Sequence, residues 1–376
     1  MRVAIDAREL REQPTGVGRY LASLLAVWEK LPSARSHEFV LCAPESADES
    51  SAQPRAPFVA RRGWTGNAGT MWEQLTLPSL VRQTKADVLF CPGYTAPVFS
   101  SVPTVVAIHD VSFVAHPEWF GWREGWRRRA VAKMAARRAA RVLTISQFSK
   151  REIVRLLGID GARVDVIYPG TTSLVPSPPL EPEKSAPQEN VVLFVGSLFT
   201  RRHIPALIDA FGRLARHRND VRLEIVGDNR TVPRVDFHHL VAATGAADRI
   251  NLRSYVREEV LRDLYRRARA FVFLSEYEGF GLTPLEALAA GVPIVVLDTP
   301  VAREVYEDAA LYVSRPDPAL IQAAIERALF DEVERARILG ASVRLMPRYS
   351  WQACAEQVLE VLVSTVSQES KVKSQR

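Results

Sequence analysis

Cysteine is scarce in this chain of 376 residues: Cys42, Cys91 and Cys354 are the three present. They are widely spaced and show no C-x-x-C pattern, which excludes a disulfide framework and favours a reducing, cytoplasmic setting. No apolar run approaches the roughly eighteen residues that a membrane-spanning helix needs. The opening Met-Arg-Val-Ala-Ile-Asp reads as a strand and not as a signal peptide. There is no D-x-D run and no His/Cys cluster with ligand spacing, and the pair His238-His239 alone is weak. No metal is therefore expected. A dinucleotide fingerprint is missing too. Gly16 and Gly18 supply G-x-G, but Leu21 stands where the third glycine belongs, which argues against an NAD-dependent dehydrogenase.

What is present is ordinary in bulk. Hydrophobic residues make up 47% and charged residues 24%, enough apolar material for two cores. The net charge is +6, from 49 Lys+Arg against 43 Asp+Glu, which either attracts anionic partners or is a mildly basic solvated surface. No nucleic-acid recognition module is evident, and nucleic acid is not expected among them.

Short β-branched runs alternate with helical periodicity from end to end. The spacing predicts strands over 2–6, 38–42, 87–90, 104–108, 141–145 and 164–167. A second series follows over 191–195, 222–226, 249–252, 270–274, 293–297 and 310–313. Most of these runs are apolar on both parities, as strands covered on both faces of a parallel sheet are. The architecture expected is α/β, with two Rossmann-like, doubly wound halves. Between the series lies 173–190, SLVPSPPLEPEKSAPQEN, whose five prolines resist helix and central strand alike and make a linker. Domains are expected over 1–172 and 191–349. A final amphipathic helix, with Ser350 as its N-cap, spans 350–366, extending to 368 at most, and the polar tail beyond it is expected to fray.

Ligands of open α/β sheets bind beyond the carboxyl ends of the strands, so the turns there hold the candidate residues. After 2–6 come Gly16 and Gly18, which let backbone N–H groups approach a ligand at a helix start. After 104–108 comes His109, an imidazole placed to hydrogen-bond a ligand or transfer a proton. After 191–195 come Gly196 and then Arg201 and Arg202, just before a helix that begins near Pro205, a phosphate-binding arrangement. After 270–274 comes SEYEGFGLTPLEALAAGVP. Gly279 and Gly281 expose consecutive N–H groups, and a helix over 281–290 aims its positive end at the crevice. Glu278 sits in that loop. Glu286 sits one turn into the helix, where a carboxylate can accept two hydrogen bonds from a vicinal diol such as ribose. Diphosphate, ribose and sugar together describe a nucleotide-sugar site.

The E-x7-E pair Glu278 and Glu286 within EYEGFGLTPLEALAAGVPIV closely resembles the signature of group 1 retaining glycosyltransferases of the GT-B fold. TGVGRY, AIHDVSFVAHPEWF, RVLTISQFSKREIV, VIYPG, VGSLFTRRHIPALIDAF and SWQACAEQVLEV agree with it. The resemblance implies two Rossmann-like domains facing across a cleft, the first binding the acceptor and the second the donor, with the last helix crossing back to the first. It implies that Glu278 contacts the donor sugar and Glu286 the ribose. The backbone of Gly279, Phe280, Gly281 and Leu282 would hold the diphosphate, and Arg201 and Arg202 would neutralise it, the second where the family usually has lysine. Gly16 and Gly18 would close over the donor and His109 would touch its sugar. Ser254, Tyr255 and Val256 would face the nucleobase. Among family members, TGVGRY with HDVSFVAHPEWF looks most like mannosyltransferases that use GDP-mannose in polysaccharide or O-antigen assembly, with UDP- or dTDP-sugars as the alternative donors. The acceptor expected is a glycan or a lipid-linked saccharide. Retention of configuration, without a metal or other cofactor, is the implied chemistry.

One further segment bears on the acceptor. In 117–141, PEWFGWREGWRRRAVAKMAARRAAR, Trp122, Trp126, Ala130 and Met134 recur every four residues, with Arg and Lys dense on the remaining faces. Such a helix either packs that face on its own domain or lies on an anionic membrane, which would place the protein peripherally on the inner face of the cytoplasmic membrane.

Overall fold

The computed structural model describes residues 1–10, 16–44, 58–63, 69–171 and 189–374. Thr15, at the head of TGVGRY, and positions 173–188 of the expected linker lie outside them. By internal packing the chain divides into one unit of Met1–Gly170 with Tyr349–Arg376 and another of Thr171–Arg348.

The first unit holds a seven-stranded sheet: β1 (Arg2–Asp6), β2 (Glu38–Pro44), β3 (Phe58–Gly63), β4 (Val88–Cys91), β5 (Thr104–Ala107), β6 (Arg141–Thr144) and β7 (Val164–Val166). Their order is β3-β2-β1-β4-β5-β6-β7, and every pairing is parallel. The second unit holds β8 (Val191–Val195), β9 (Arg222–Val226), β10 (Ile250–Arg253), β11 (Ala268–Phe273), β12 (Ile294–Leu297) and β13 (Ala310–Val313), ordered β10-β9-β8-β11-β12-β13 and also parallel. Both sheets are doubly wound. The chain reverses direction across the sheet between β1 and β4 in one and between β8 and β11 in the other, and such a switch point opens a crevice for ligand. The central strands are buried along their whole length, which explains their unbroken apolar character.

Strand β3 was not expected. Its sequence FVARRG breaks the apolar run with Arg61 and Arg62, and as the outermost strand it needs a single neighbour. The last helix is also longer than its sequence suggests, Trp351–Ser374, so the polar tail is helical and not frayed as far as Ser374. No proline or glycine interrupts 366–374, and Val366 still packs against the core of the first unit. Ser350 caps the helix as expected, its hydroxyl accepting from the Ala353 N–H (3.4 Å).

That helix completes one of the two hydrophobic layers of the first unit. Cys354, Ala355, Val358, Leu359 and Leu362 pack with Leu21, Leu24, Trp28, Phe39 and Phe90. Trp28 stacks on Phe39 and donates its indole N–H to the Ala355 carbonyl (2.9 Å). The opposite layer gathers Trp72, Leu77, Val81, Val106, Phe113, Ala132 and Ala136. In the second unit Phe194, Phe211, Phe271 and Tyr265 are fully buried. There Glu189 pairs with Arg267 (2.8 Å), which ties the last residues of the expected linker to the second unit.

Candidate active site

At the switch point of the second sheet, the loops after β8 and β11 are joined by their own side chains. Gly196 ends β8 with φ +139°, and Gly227 ends β9 with φ +155°. A Cβ at 227 would stand 1.9 Å from the Gly196 carbonyl oxygen, so the two loop starts touch backbone to backbone and exclude any side chain. A tight turn, Thr200–Arg202, then leads into helix Ile204–Ala215, with Pro205 in its first turn. From this turn Arg202 reaches Glu278: Nε donates to Oε1 at 2.9 Å and Nη2 lies 2.8 Å away. Its Nη1 donates to the Ser197 carbonyl (2.9 Å), and the guanidinium lies 4.9 Å over the Phe273 ring. Ser275 adds a hydroxyl donated to Glu278 Oε1 (2.8 Å). Arg201 lies over Phe199 at 4.2 Å, and its carbonyl accepts from the Glu276 N–H (3.0 Å), which locks the two loops together. Of the residues expected to meet phosphate and sugar, Arg202 and Glu278 are therefore hydrogen-bonded to each other, with Ser275 as a third member.

Helix Leu282–Ala289 starts beside that group. Gly281 precedes it at φ +94°, a conformation that glycine adopts readily. A Cβ there would lie 2.1 Å from Tyr306 Oη, because that hydroxyl donates to the Gly281 carbonyl (2.9 Å). No side chain caps the helix start, so its first N–H groups offer positive potential to an anion. Phe280 is buried and anchors the loop, while Leu282 is partly exposed at the helix start. Glu286 is buried and accepts from the hydroxyl of fully buried Tyr265 (3.1 Å).

Next to β9 and β10 the second unit holds a cavity of about 800 Å³, lined among others by Gly227, Asp228, Asn229, Arg234, His238 and Ser254. Of the three residues expected at the nucleobase, Ser254 forms part of its wall. Tyr255 and Val256 are not in the lining, and Tyr255 is exposed. The wall owes its shape to Asn229, whose amide donates to the Val235 carbonyl (2.8 Å) and accepts from the Thr231 hydroxyl (2.8 Å). Sequence reading missed this loop. Its one signal was Gly227 closing a strand, as Gly196 does.

In the first unit His109 follows β5 and is buried. Its Nε2 lies 2.9 Å from the Pro92 carbonyl, so Nε2 carries the proton and Nδ1 accepts in the neutral ring. Tyr20 and Tyr94 meet the imidazole edge-on at 4.9 and 5.5 Å. Burial lowers its pKa, with the Pro92 hydrogen bond and the Asp110 carboxylate opposing. Gly16 is exposed and Gly18 is buried on the same helix, Gly16–Trp28. A buried network that the sequence reading did not find stands beyond β1: Arg8 pairs with Asp6 (2.7 Å) and Glu73 (3.2 Å). Burial pushes the Glu73 carboxyl above its usual range, against the pull of Arg8 and of the Thr95 hydroxyl. Arg8 and Glu73 are 65 positions apart, which no local pattern reveals. Among the described residues no three His, Cys, Asp or Glu side chains gather as metal ligands, and no helix is long and apolar enough to cross a membrane.

Residues 180–363 match the family model described as Glycosyl transferases group 1, and residues 14–172 match that of Glycosyltransferase Family 4. The chain is 25% identical to the O-antigen chain mannosyltransferase B of Escherichia coli, across 96% of this chain and 98% of that one. It is 27% identical to the O-antigen chain mannosyltransferase RfbU of Salmonella typhimurium, across 67% of each. Among solved structures, the sucrose-phosphate synthase of Thermosynechococcus elongatus superposes with a TM-score of 0.76 at 19% identity, covering 98% of this chain and 100% of that one. HepE of Anabaena, in complex with UDP and glucose, gives 0.74 at 20% identity, covering 97% and 100%.

Proposed function

Because the chain belongs to the group 1 glycosyltransferases of the GT-B fold, we propose that it transfers mannose from GDP-mannose to a glycan or lipid-linked saccharide, with retention of configuration. The observation that carries this reading is the joined group of Arg202, Glu278 and Ser275 beside the uncapped helix start at Gly281. A leaving nucleoside diphosphate gains negative charge as the glycosidic bond breaks. Fixed donors and a helix terminus aimed at that charge stabilise the transition state more than the ground state. Arg202 has five N–H groups, three of which serve Glu278 and Ser197, so donors remain for phosphate oxygens. Arg201 stands beside it on the same turn. With these cations in place the charge needs no metal to balance it.

Glu286 receives the ribose hydroxyls, and Tyr265 holds its carboxylate in place for them. The cavity walled by Asn229 and Ser254 takes the base. Glu278 orients the donor sugar, and the leaving phosphate takes the acceptor's proton. The roles given to Gly16, Gly18 and His109 rest on the motif resemblance. GDP-mannose is favoured over other donors by the two O-antigen mannosyltransferases among the relatives. A UDP-sugar is the second reading, since HepE, of the same fold, holds UDP.

Calorimetric titration of GDP, UDP, ADP and NAD with EDTA present decides between them. Tight binding of GDP alone is the expected result. Preference for UDP would replace the donor and keep the mechanism. Binding of NAD alone, or of none of the four, would overturn the reading.

A further inference from the structure

The chain's excess of positive charge has a single address. Helix Trp122–Arg138 holds seven basic residues against one acidic residue, Glu124. Its excess of six equals that of the whole chain, so the remainder of the protein is balanced.

The same helix is amphipathic the wrong way round. Ala132, Ala135 and Ala136 are its buried side, packed into the core with Val106 and Phe113. Two of its large apolar side chains face outward: Trp126 is 67% exposed, and Met134 is exposed as well. Small residues inside let the helix sit close to the sheet, and the tryptophan stays largely open to solvent. The spacing i, i+7, i+8 and i+11 puts Trp126, Lys133, Met134 and Arg137 on one side of the helix. This corrects the expectation that the cations occupy the remaining faces, since Lys133 and Arg137 alternate with the apolar residues. Of the two alternatives for this face, packing into the core of its own unit does not hold for Trp126 and Met134, which lie outside the buried cluster and are exposed. The side chain of Trp122 lies outside the described residues.

Neighbouring loops of the same unit extend the patch. Arg127 donates to the Thr70 hydroxyl (3.2 Å), which brings exposed Met71 alongside. Arg138 lies 5.0 Å over the ring of Phe99, which is 74% exposed. Apolar side chains from three segments thus stand among arginines and lysine. Exposed large apolar side chains gathered among cations in this way mark an interaction surface more often than a face that meets only water. A purely ionic partner such as RNA would use the cations but leave Met71, Phe99 and Met134 without purpose.

We infer that this face is a docking surface for an anionic lipid bilayer. Trp126, Met134 and Phe99 would enter the boundary between headgroups and acyl chains, and Arg127, Lys133, Arg137 and Arg138 would meet the lipid phosphates. The face would hold the first unit at a membrane, where a lipid-linked saccharide is found.

The test is co-sedimentation of the full chain with vesicles of phosphatidylglycerol and phosphatidylethanolamine, or of phosphatidylcholine alone, at low and high salt. Binding to the anionic vesicles alone, weakened by salt, is expected. Lys133→Glu should lower partitioning on the order of tenfold or more, while Arg344→Glu, an equal charge change on the second unit, should lower it by no more than about twofold. Trp126→Ala should also lower it severalfold. Thermal melting confirms that each variant is folded. Equal losses from Lys133→Glu and Arg344→Glu would overturn the proposal, as would no effect of Trp126→Ala or no binding to anionic vesicles. Displacement from the vesicles by polyuridylate without any effect of Trp126→Ala would assign the face to nucleic acid instead. The readout is independent of nucleotide binding, so its failure is distinguishable from failure of the proposed donor.

Discussion

Glu278 and Arg202 hold each other's charge, and this changes what removal of either should do. Glu278→Ala removes the group proposed to contact the sugar but frees the Arg202 guanidinium. We expect transfer to fall by at least about tenfold while GDP binds as well as before or more tightly, as titration calorimetry would reveal. Full transfer activity would remove Glu278 from the site. Glu286→Ala should do the opposite. A hydrogen bond to a charged group contributes about 1.5–3 kcal/mol, so GDP affinity should drop roughly ten- to a hundredfold. Unchanged affinity would cancel the ribose assignment. His109 carries a pH signature. Burial lowers its folded-state pKa below that of the unfolded chain. Its contribution to stability is therefore complete above the ordinary histidine range near about 6.5 and is lost as pH falls through it. The urea midpoint should decline from about pH 7.5 to about pH 5.5, and decline less in His109→Gln, whose amide can still donate toward Pro92. An identical decline in both would show that other groups dominate. At this scale the sequence was most informative where chemistry is contiguous. Glu278, Gly281 and Glu286 fall within one short run. The partners that fix them do not: Arg202 is 76 positions from Glu278, and Tyr265 is 21 from Glu286. No periodicity links such residues; the strand order of the sheet does.

Among the elements, the helix that opens at Gly281 depends on its first turn being held open. Tyr306 occupies the space where a side chain at 281 would go. Gly281→Ala therefore meets both a hydroxyl and an unfavourable φ, and should destabilise the second unit by about 1–3 kcal/mol. Adding Tyr306→Phe removes the hydroxyl and should restore part of the loss, which thermal melting can measure. Absence of any rescue would place the whole penalty in the backbone. Elements with one environment along their length were plain in the sequence. Strand β8 is apolar on both faces, β1 and β9 are buried from their second residue onward, and the residue bounds of all three agree with the sequence reading. Elements with a mixed environment were obscure. β3 has a neighbour on one side, and the polar end of the last helix depends on a few contacts such as Val366.

The whole molecule is two separately cored units, and its stability should show both. Scanning calorimetry should resolve two transitions, and GDP should raise that of the second unit alone, by mass action on the state that binds. Trp28→Ala should lower only the other transition, with a loss of about 3–5 kcal/mol, because its indole lies between the sheet and the last helix. A single transition moved by both changes would mean that the units unfold as one. At this scale the alternation of strand and helix made the architecture legible, and the proline-rich segment marked the division.

The composite make-up of the first unit has a consequence for synthesis. The second unit is one continuous stretch of chain, but the first borrows Cys354, Val358 and Leu362 from beyond it. On the ribosome, the second unit can close as soon as it emerges. The first, although translated earlier, keeps an open apolar groove beside Trp28 until those late residues arrive. The order of completion is thus the reverse of the order of translation, and a chain stopped before Trp351 leaves a finished second unit tied to an unfinished, aggregation-prone partner.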